Sequence, residues 1–324
     1  MELLYQLLNR PPYPTESYHD KTVVVTGSNT GLGKEAARHF ARLGVSKLIL
    51  GVRNLEKGEA AKKDIVKSTQ CGADVVEVWK LDMASYQSVK DFAKKVNSLP
   101  RVDIFLGNAG LARAKFVIVE QDETDITVNV VSTLLLSLLV LPVLKKTARE
   151  FGVHPTLTIT SSGTHGWTTL PAKSAPEGQI FTTISDERFA LAHWNEQYPV
   201  SKLLELFAVR AIAEHFPDLP VTVNCVNPGL CQSELSREMD SWTFEVFKSL
   251  FGRSTEVGGR TLVYAGSQGP ETYGKYVSNC RITEPSKFVR SAEGEAVQER
   301  VWVELVDKLE RIQKGVTDVL KAGN

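Results

Sequence analysis

The chain has 324 residues, of which 42% are hydrophobic and 23% charged, a composition that excludes disordered and fibrous proteins. Basic and acidic residues number 38 each, so the net charge is zero. Proteins that bind nucleic acid or anionic membranes usually carry a basic excess. We therefore expect neither kind of partner.

The cysteines and histidines show neither a disulfide framework nor a metal-binding pattern. The four cysteines are irregularly spaced and form no CxxC pair, as expected of reduced thiols in a cytoplasmic protein. No His–His or His–Cys pair has the spacing of zinc ligands, so we predict no structural metal. The most apolar stretch, residues 134–144, has only 11 residues. Because roughly 20 are needed to span a bilayer, this stretch predicts a buried helix and no transmembrane segment.

Residues 1–20 are predicted to form an N-terminal extension, followed by a single domain over residues 21–324. Pro11, Pro12 and Pro14 interrupt any helix, and the segment has no basic region or cleavage site, so it does not resemble a secretory signal. Residues 1–14 are compatible with a partner contact, a membrane contact or a packed extension.

Predicted strands and helices alternate along the chain. The first strand is the β-branched run Thr22–Thr26, which is typical of a strand buried on both faces of a parallel sheet. A glycine-rich turn and a helix that stops at Gly44 follow. The later strands are predicted at about residues 47–52, 75–81, 102–106, 156–160 and 221–226, and the later helices at about 54–70, 85–97, 124–151 and 199–215. This order predicts an α/β fold, a single-domain doubly wound Rossmann-type parallel sheet with helices on both faces.

Two long irregular segments, about residues 163–196 and 229–254, interrupt this alternation. Loops of such length are uncommon inside a compact domain and are often functional. We therefore predict that both segments are lids over a substrate. The tail, residues 292–320, has the pattern of one amphipathic, charge-rich helix.

The glycine-rich turn covers residues 26–33 and reads TGSNTGLG. It follows a buried strand and opens a helix, which is the context that a dinucleotide-binding turn needs. The helix N-terminus offers free N–H groups and a positive dipole end to a pyrophosphate. The predicted cofactor contacts are Gly27, Ser28, Asn29, Thr30, Gly31, Leu32 and Gly33. The alternative is a tight strand–helix connection without a ligand.

The choice of cofactor depends on the residue about 20 positions beyond the glycines. An acid there holds the ribose 2′-hydroxyl of NAD, whereas an arginine accepts the 2′-phosphate of NADP. This chain has Arg53 at that position, with no carboxylate beside it, and a guanidinium forms charge-assisted hydrogen bonds with phosphate. NADP(H) is therefore the predicted cofactor. The alternative is a solvated arginine at the end of a strand.

The TGxxxGxG spacing, together with the YxxxK pattern Tyr198-Pro-Val-Ser-Lys202, resembles the short-chain dehydrogenase/reductase family over about residues 21–280. The resemblance implies that Tyr198 exchanges a proton with a carbonyl or alcohol oxygen. Lys202, on the same helix face, would lower the pKa of Tyr198 and hold the ribose. Ser162 would orient the substrate oxygen, and Asn129 would hold a water in a proton relay through Lys202. Taken alone, Ser162 also fits turn chemistry and Asn129 a hydrogen-bonded core amide.

The same resemblance implies further cofactor contacts after the later strands. Asp82, followed by Met83, would lie near the adenine ring. Asn108, Ala109 and Gly110 would line the cofactor. Pro228 and Gly229 would form a turn beside the nicotinamide, and Ser233 would offer a hydroxyl to its carboxamide.

Between Ser162 and Tyr198 lie 35 residues, more than in the commonest members of the family. In this respect the chain resembles the retinol-dehydrogenase-like branch, and its PPYPT lead is similar to fungal members from secondary-metabolite pathways. We hypothesise that aromatic side chains of the lids line an apolar substrate pocket, because aromatic burial supplies much of the affinity in such sites. These side chains are Trp167, Phe181, Phe189, Trp194, Trp242, Phe244, Phe247 and Phe251. The alternative is that they pack the lids onto the core.

The predicted protein is an NADP(H)-dependent oxidoreductase that transfers a hydride between the nicotinamide and a carbonyl or alcohol of a bulky, apolar small molecule. Two alternatives stay open: NADP(H)-assisted non-redox or cyclisation chemistry in a biosynthetic pathway, and a non-catalytic nucleotide-sensing protein. The helix at 124–151 and the Tyr198 helix resemble the pair through which family members form homodimers. The C-terminal tail is an alternative cover for that surface.

Overall fold

The computed structural model describes residues 2–233, 235 and 248–321. Within them the strands are β1 (Thr22–Thr26), β2 (Lys47–Val52), β3 (Val76–Lys80), β4 (Ile104–Gly107), β5 (Ile118–Val119), β6 (Asp122–Glu123), β7 (Thr156–Thr160), β8 (Thr222–Asn227), β9 (Tyr276–Ser278) and β10 (Arg281–Ile282). The α-helices are α1 (Glu2–Leu8), α2 (Gly31–Arg42), α3 (Leu55–Thr69), α4 (Tyr86–Asn97), α5 (Thr133–Phe151), α6 (Ile180–Ile184), α7 (Glu187–Ala192), α8 (Trp194–His215), α9 (Thr255–Gly266) and α10 (Ala292–Ile312).

The main sheet has eight strands in the order β10-β9-β8-β7-β4-β1-β2-β3. All neighbouring strands are parallel except β9 and β10, which pair antiparallel. The first strand, β1, lies in the middle of the sheet. Strands β2 and β3 follow on one side of β1, and the chain then crosses over so that β4 pairs with its other side. The point between β1 and β4, where the order reverses, is where open α/β sheets bind their ligands. The predicted doubly wound fold is confirmed.

Helices cover both faces of this sheet, and the first strand shows why. Val23 and Val25 of β1 point into one core, which they share with Phe40 of α2, while Val24 points into the other. Successive side chains of a strand face opposite sides, so a run of valines is stable only where both sides are apolar. The second core contains most of the buried side chains of α4, α5 and α8.

Local capping fixes several helix boundaries. The Asn54 side chain accepts a hydrogen bond from the Lys57 N–H at 2.8 Å and begins α3. Ser85 begins α4 in the same way, through the Ser88 N–H. Gly152 ends α5 with a φ of +63°, a conformation that favours glycine. These signals lie in the sequence, and the predicted boundaries of α3 and α4 and the predicted end of α5 agree with the structure to within one residue.

Residues 126–151 form one helix that is long and apolar enough to cross a membrane, with a mean hydropathy of 2.2 over its most apolar part. However, 89% of that part is buried in the protein. It is therefore a core helix, as predicted. Its first turns, Ile126–Ser132, are π-helical, which the sequence did not indicate.

Three other regions differ from the predictions. The sheet extends beyond the sixth predicted strand by β9 and β10, which are too short to show an apolar pattern. Residues 163–196 are not irregular, because they form two 3₁₀ turns followed by α6 and α7. The tail is one helix only to Ile312, after which Val316–Leu320 forms a 3₁₀ turn.

The C-terminal tail covers part of the helix pair considered for dimerisation. The Arg210 side chain of α8 donates to the Gln298 side chain of α10 at 2.8 Å. Lys145 of α5 donates to the Val319 carbonyl at 3.0 Å. A homodimer stays a prediction, but this part of the surface is occupied by the chain itself.

Candidate active site

The glycine-rich turn between β1 and α2 leaves no room for larger residues. Gly27 has a φ of +65°. A Cβ on Gly33 would lie 2.4 Å from Asn108 Nδ2 and 2.7 Å from the Gly27 carbonyl oxygen, closer than atoms can pack. Thr30, the residue before α2, makes no side-chain capping bond, so its side chain leaves the first N–H groups of α2 uncapped. This cradle fits the pyrophosphate of a dinucleotide.

Not every side chain of the turn faces a ligand. Ser28 is buried and donates its hydroxyl to the Val25 carbonyl at 2.9 Å, so it stabilises the turn itself. Leu32 packs against the core that α2 shares with α9. Asn29, Thr30 and Gly31 are partly exposed, so they are the residues of the turn that a cofactor could touch beside the backbone of Gly27.

The segment after β4 is fastened to this turn. Asn108 Nδ2 donates to the Thr26 carbonyl at 2.9 Å, and the Thr26 hydroxyl oxygen accepts from the N–H groups of Asn108 and Ala109 at 3.0 and 2.9 Å. A Cβ on Gly110 would lie 3.2 Å from Asn129 Oδ1 and 3.5 Å from Lys202 Nζ. The predicted cofactor strip therefore runs from the glycine turn to the Tyr198 helix.

Arg53, Asp82 and Met83 lie at the other end of this strip, beyond β2 and β3. Arg53 is exposed directly after β2, where its carbonyl accepts from Lys80 Nζ at 2.6 Å. Asp82 Oδ1 accepts from the Ala84 N–H at 3.1 Å, and Met83 is buried. An exposed guanidinium at this strand end is open to a 2′-phosphate.

Asn129 lies in the π-helical turns before α5 and is fully buried. Its Nδ2 donates to the Leu111 carbonyl and to the Ser201 hydroxyl, both at 2.9 Å. Its Oδ1 accepts from the Leu111 N–H at 2.9 Å. These bonds are those of a satisfied core amide, and they connect the cofactor strip to the turn of α8 that carries Lys202.

The side chains of Ser162 and Tyr198 lie near each other at this edge of the sheet. Ser162 follows β7 in an extended conformation and caps the 3₁₀ turn after it, whereas Tyr198 lies in the first turns of α8. Burial raises the pKa of Tyr198, and the net shift is upward, although the Lys202 ammonium and the nearby Ser162 hydroxyl act to lower it. Lys202 Nζ lies 5.6 Å from the centre of the Tyr198 ring, so the positive charge is near enough to stabilise a phenolate.

A buried carboxylate that the sequence analysis missed pairs with Lys202. Lys202 Nζ donates to Glu205 Oε1 and to the Thr160 carbonyl, both at 2.9 Å. Burial raises the pKa of Glu205 to about 7, although Lys202 opposes the shift. Burial lowers the pKa of Lys202, but the charge and hydrogen bond of Glu205 together with the charge of Tyr198 outweigh it, and the net shift is upward. The available signal was a lone charge inside the apolar run LLELF, one helical turn beyond the lysine.

Pro228 and Gly229 follow β8 at the same edge of the sheet. Strand β8 pairs with β7, and the Ser161 N–H donates to the Val226 carbonyl at 2.8 Å. The turn therefore leaves the sheet beside Ser162. Ser233, the predicted carboxamide contact, is partly exposed four residues further on.

The predicted pocket aromatics divide into different environments. Phe181 is 3% exposed and belongs to the core, so it packs the segment onto the domain rather than facing a ligand. Phe189 stacks on His193 at 4.3 Å between ring centres. Trp167 is 72% exposed, five residues after Ser162, and Phe251 is 38% exposed. Trp194 is half-buried at the start of α8, while Trp242, Phe244 and Phe247 lie outside the described residues.

Comparisons with known proteins show which family this chain is similar to. A family model described as short chain dehydrogenase matches residues 21–153. A "Short chain dehydrogenase/reductase dmxR8" from Cryptosporiopsis sp. is 56% identical over 98% of this chain and 99% of its own length. A "Short-chain dehydrogenase anuD" from Penicillium roqueforti is 38% identical over 98% of this chain and 84% of its own length.

Solved structures share the fold. A putative short chain dehydrogenase from Shigella flexneri, complexed with NADP, has a TM-score of 0.58 at 21% identity and covers 83% of this chain and all of its own. An NADPH-bound carbonyl reductase from chicken fatty liver has a TM-score of 0.59 at 18% identity, over 82% of this chain and 99% of its own. At these identities the likeness concerns the fold alone.

A doubly wound sheet, a glycine cradle at its switch point and a Ser–Tyr–Lys group at the same edge define a dinucleotide-dependent oxidoreductase class. The 56% identity with the Cryptosporiopsis short chain dehydrogenase/reductase along nearly the whole chain then shows the family within this class. The chain belongs to the short-chain dehydrogenase/reductase family.

Proposed function

We propose that the chain is an NADP(H)-dependent oxidoreductase that interconverts a carbonyl and an alcohol on a bulky, apolar small molecule. The observation that carries this proposal is the convergence of Ser162, Tyr198 and Lys202 at the edge of the sheet where the glycine cradle opens. When bound, the nicotinamide supplies or accepts the hydride. Every other step is assigned to side chains of this chain.

Tyr198 is proposed as the general acid and base. In the reduction its phenol donates the proton that the carbonyl oxygen needs, and in the oxidation its phenolate removes the proton of the alcohol. Ser162, which lies near the phenol, holds the substrate oxygen within reach. Lys202 keeps a positive charge beside Tyr198, because its ion pair with Glu205 raises its pKa, and this charge makes the phenolate accessible.

Three features support the cofactor and the substrate class. Arg53 is exposed at the end of β2, which suits the 2′-phosphate of NADP. Structural neighbours were crystallised with NADP or NADPH. The largely exposed Trp167 ring, close in sequence to Ser162, offers an apolar face to a bulky substrate. The relatives of this chain lead us to propose a role in fungal secondary metabolism.

The test is an NADPH-consumption assay with a panel of bulky apolar ketones and aldehydes. The wild-type protein is expected to reduce members of this panel faster than small carbonyls. The Tyr198→Phe variant should still bind NADPH and lose roughly 10²- to 10⁴-fold in kcat, because it has no proton to give.

The matched control is Tyr273→Phe. The Tyr273 hydroxyl donates to the Phe216 carbonyl at 2.6 Å, just beyond the far end of α8, so this variant should keep its kcat. Full activity in Tyr198→Phe, or no turnover of any carbonyl by wild-type protein that binds NADPH, would reject the proposed reaction.

A further inference from the structure

The N-terminal extension reaches the active-site edge of the sheet through one buried side chain. Gln6 of α1 is 8% exposed. Its Oε1 accepts from the Leu230 N–H at 2.9 Å, and its Nε2 donates to the Leu230 carbonyl at 2.9 Å. Nε2 also lies 3.3 Å from the Phe251 carbonyl. One amide group therefore bonds both main-chain polar groups of Leu230, as a neighbouring strand would.

Arg253 adds a second connection between the extension and the same turn. Its Nη1 donates to the Pro228 carbonyl at 3.3 Å, and its Nη2 donates to the Asn9 carbonyl at 3.0 Å. The guanidinium also bonds the Asn279 side chain. The main chain on both sides of Gly229 is thus bonded to groups that belong to, or contact, residues 6–9.

Gly229 shows how closely the extension approaches. Its φ is +83°, and a Cβ at this position would lie 2.3 Å from Gln6 Oε1 and 3.1 Å from Arg253 Nη1. The backbone of the turn and the Gln6 amide therefore pack against each other with no space for another side chain. Such contact fixes the path of residues 228–230.

This turn lies beside the reacting groups. Strand β8 runs next to β7, with Thr160 opposite Val226, so residues 228–230 leave the sheet alongside Ser161 and Ser162. In the reaction proposed above, the nicotinamide must meet the substrate at Ser162 and Tyr198. The adenosine end must then lie near Arg53, on the far side of β1.

We propose that Gln6 is a positioning residue for the nicotinamide half of the cofactor, acting through the turn Pro228-Gly229-Leu230, and that the N-terminal extension is thereby part of the active site. This inference rests on the proposed function. It predicts that removing the Gln6 amide affects only that half of the cofactor.

The experiment compares two ligands on purified Gln6→Ala and wild-type protein: NADPH, and 2′-phospho-ADP-ribose, which lacks the nicotinamide. The Kd for NADPH should rise roughly five- to tenfold, the size of one or two lost hydrogen bonds. The Kd for 2′-phospho-ADP-ribose should stay the same. In steady-state kinetics the change should appear in the KM for NADPH more than in kcat.

Asn9→Ala is the matched control, because the Asn9 side chain is exposed and, among the residues that the structure describes, donates to the Tyr5 carbonyl of its own segment. It should leave both affinities unchanged. If Gln6→Ala raises the Kd of both ligands equally, as a general loss of structure would, the inference is overturned. An unchanged Kd for NADPH would overturn it as well. Wild-type protein that binds neither ligand would overturn the proposed function and this inference with it.

Hydrogen exchange on the wild-type protein tests the same point without a variant that must fold. NADPH should slow exchange of the Leu230 amide, which donates to Gln6, whereas 2′-phospho-ADP-ribose should not. The same protection with both ligands, or with neither, would contradict the proposal.

Discussion

The two sides of the site are held in different ways. The cofactor side, formed by β1 to β4 and the turns after them, is fixed by contacts between adjacent strands, such as those of Asn108 with Thr26 and Gly27. The substrate side is formed by residues 163–196 together with 229–233 and 248–254, of which residues 229–233 also border the proposed nicotinamide position. This side is bonded to the two ends of the chain. Glu304 of α10 accepts from the Ile180 N–H across 124 residues, and Gln6 donates to the Leu230 carbonyl across 224.

Because the two sides are held differently, substitutions can change one side without changing the other. A strand–turn–helix unit fixes the nucleotide cradle through its own backbone, so the cradle depends little on distant sequence. The substrate side depends on side chains of the termini, such as Arg300, which donates to the Lys173 and Ala175 carbonyls at 2.6 and 2.7 Å. Substitutions at such positions of α10 can therefore reshape the substrate side without disturbing the cradle.

Of the remaining tests, we expect the largest effect from replacing Glu205, which lies beneath both sides of the site. This replacement should affect proton transfer alone. Burial raises the pKa of Glu205 to about 7, so the group is neutral below that pH and anionic above it. As an anion it raises the pKa of Tyr198, as does Asp125. In Glu205→Gln this charge is gone, so the rising limb of the pH profile for alcohol oxidation, where Tyr198 loses its proton, should move down by about one pH unit.

The measurement is kcat/KM for alcohol oxidation against pH. The wild-type and Glu205→Gln profiles should diverge only above about pH 7, where the wild-type Glu205 is ionised. Glu214→Gln, on an exposed position of the same helix, is the control and should match the wild type. An unmoved limb, or one shifted to higher pH, would show that Glu205 does not act on Tyr198 through its charge.

A smaller effect should follow from releasing the first substrate-side segment. Glu304 Oε2 accepts from the N–H groups of Ile180 and Phe181 at 2.8 and 3.4 Å and so caps α6 from another helix. Glu304→Ala should lower the free energy of unfolding by about 1–2 kcal/mol. The substrate KM should change several-fold, while the Kd for NADPH stays constant.

Denaturant unfolding and NADPH titration check this prediction together. Glu299→Ala is the control, since Glu299 lies on the same helix and forms an exposed pair with His215, which contributes little. If Glu304→Ala raises the Kd for NADPH as much as it raises the substrate KM, the distinction between the two sides is wrong.

The same distinction explains what the sequence could predict. Strands β1, β2 and β7 were predicted with their observed boundaries because each is a β-branched or apolar run between turn residues. The proposed catalytic residues Ser162, Tyr198 and Lys202 could be named from the sequence because the resemblance specifies their spacing, and in the structure they lie at the same edge of the sheet. The π-helical turns around Asn129 have no sequence signature, since they depend on packing between α8 and the cofactor strip.

Long-range partners could not be predicted from local patterns. Gln6 is one polar residue in an apolar stretch, and only the fold shows that its partner is Leu230. Phe181 was predicted as a pocket residue with core packing as the alternative, and it lies in the core because α6 packs beneath α10. Aromatic residues serve both purposes, so their type alone does not distinguish them.

The measurement that tests the central claim most directly is a fluorescence titration of the purified protein with NADPH and with NADH, repeated on Arg53→Ala. We expect NADPH to bind at least roughly tenfold more tightly, from a charge-assisted bond to the 2′-phosphate, and Arg53→Ala to lose that preference while its affinity for NADH is unchanged. Equal affinities in the wild type, tighter binding of NADH, or binding of neither nucleotide would contradict the assignment of this chain as an NADP(H)-dependent oxidoreductase.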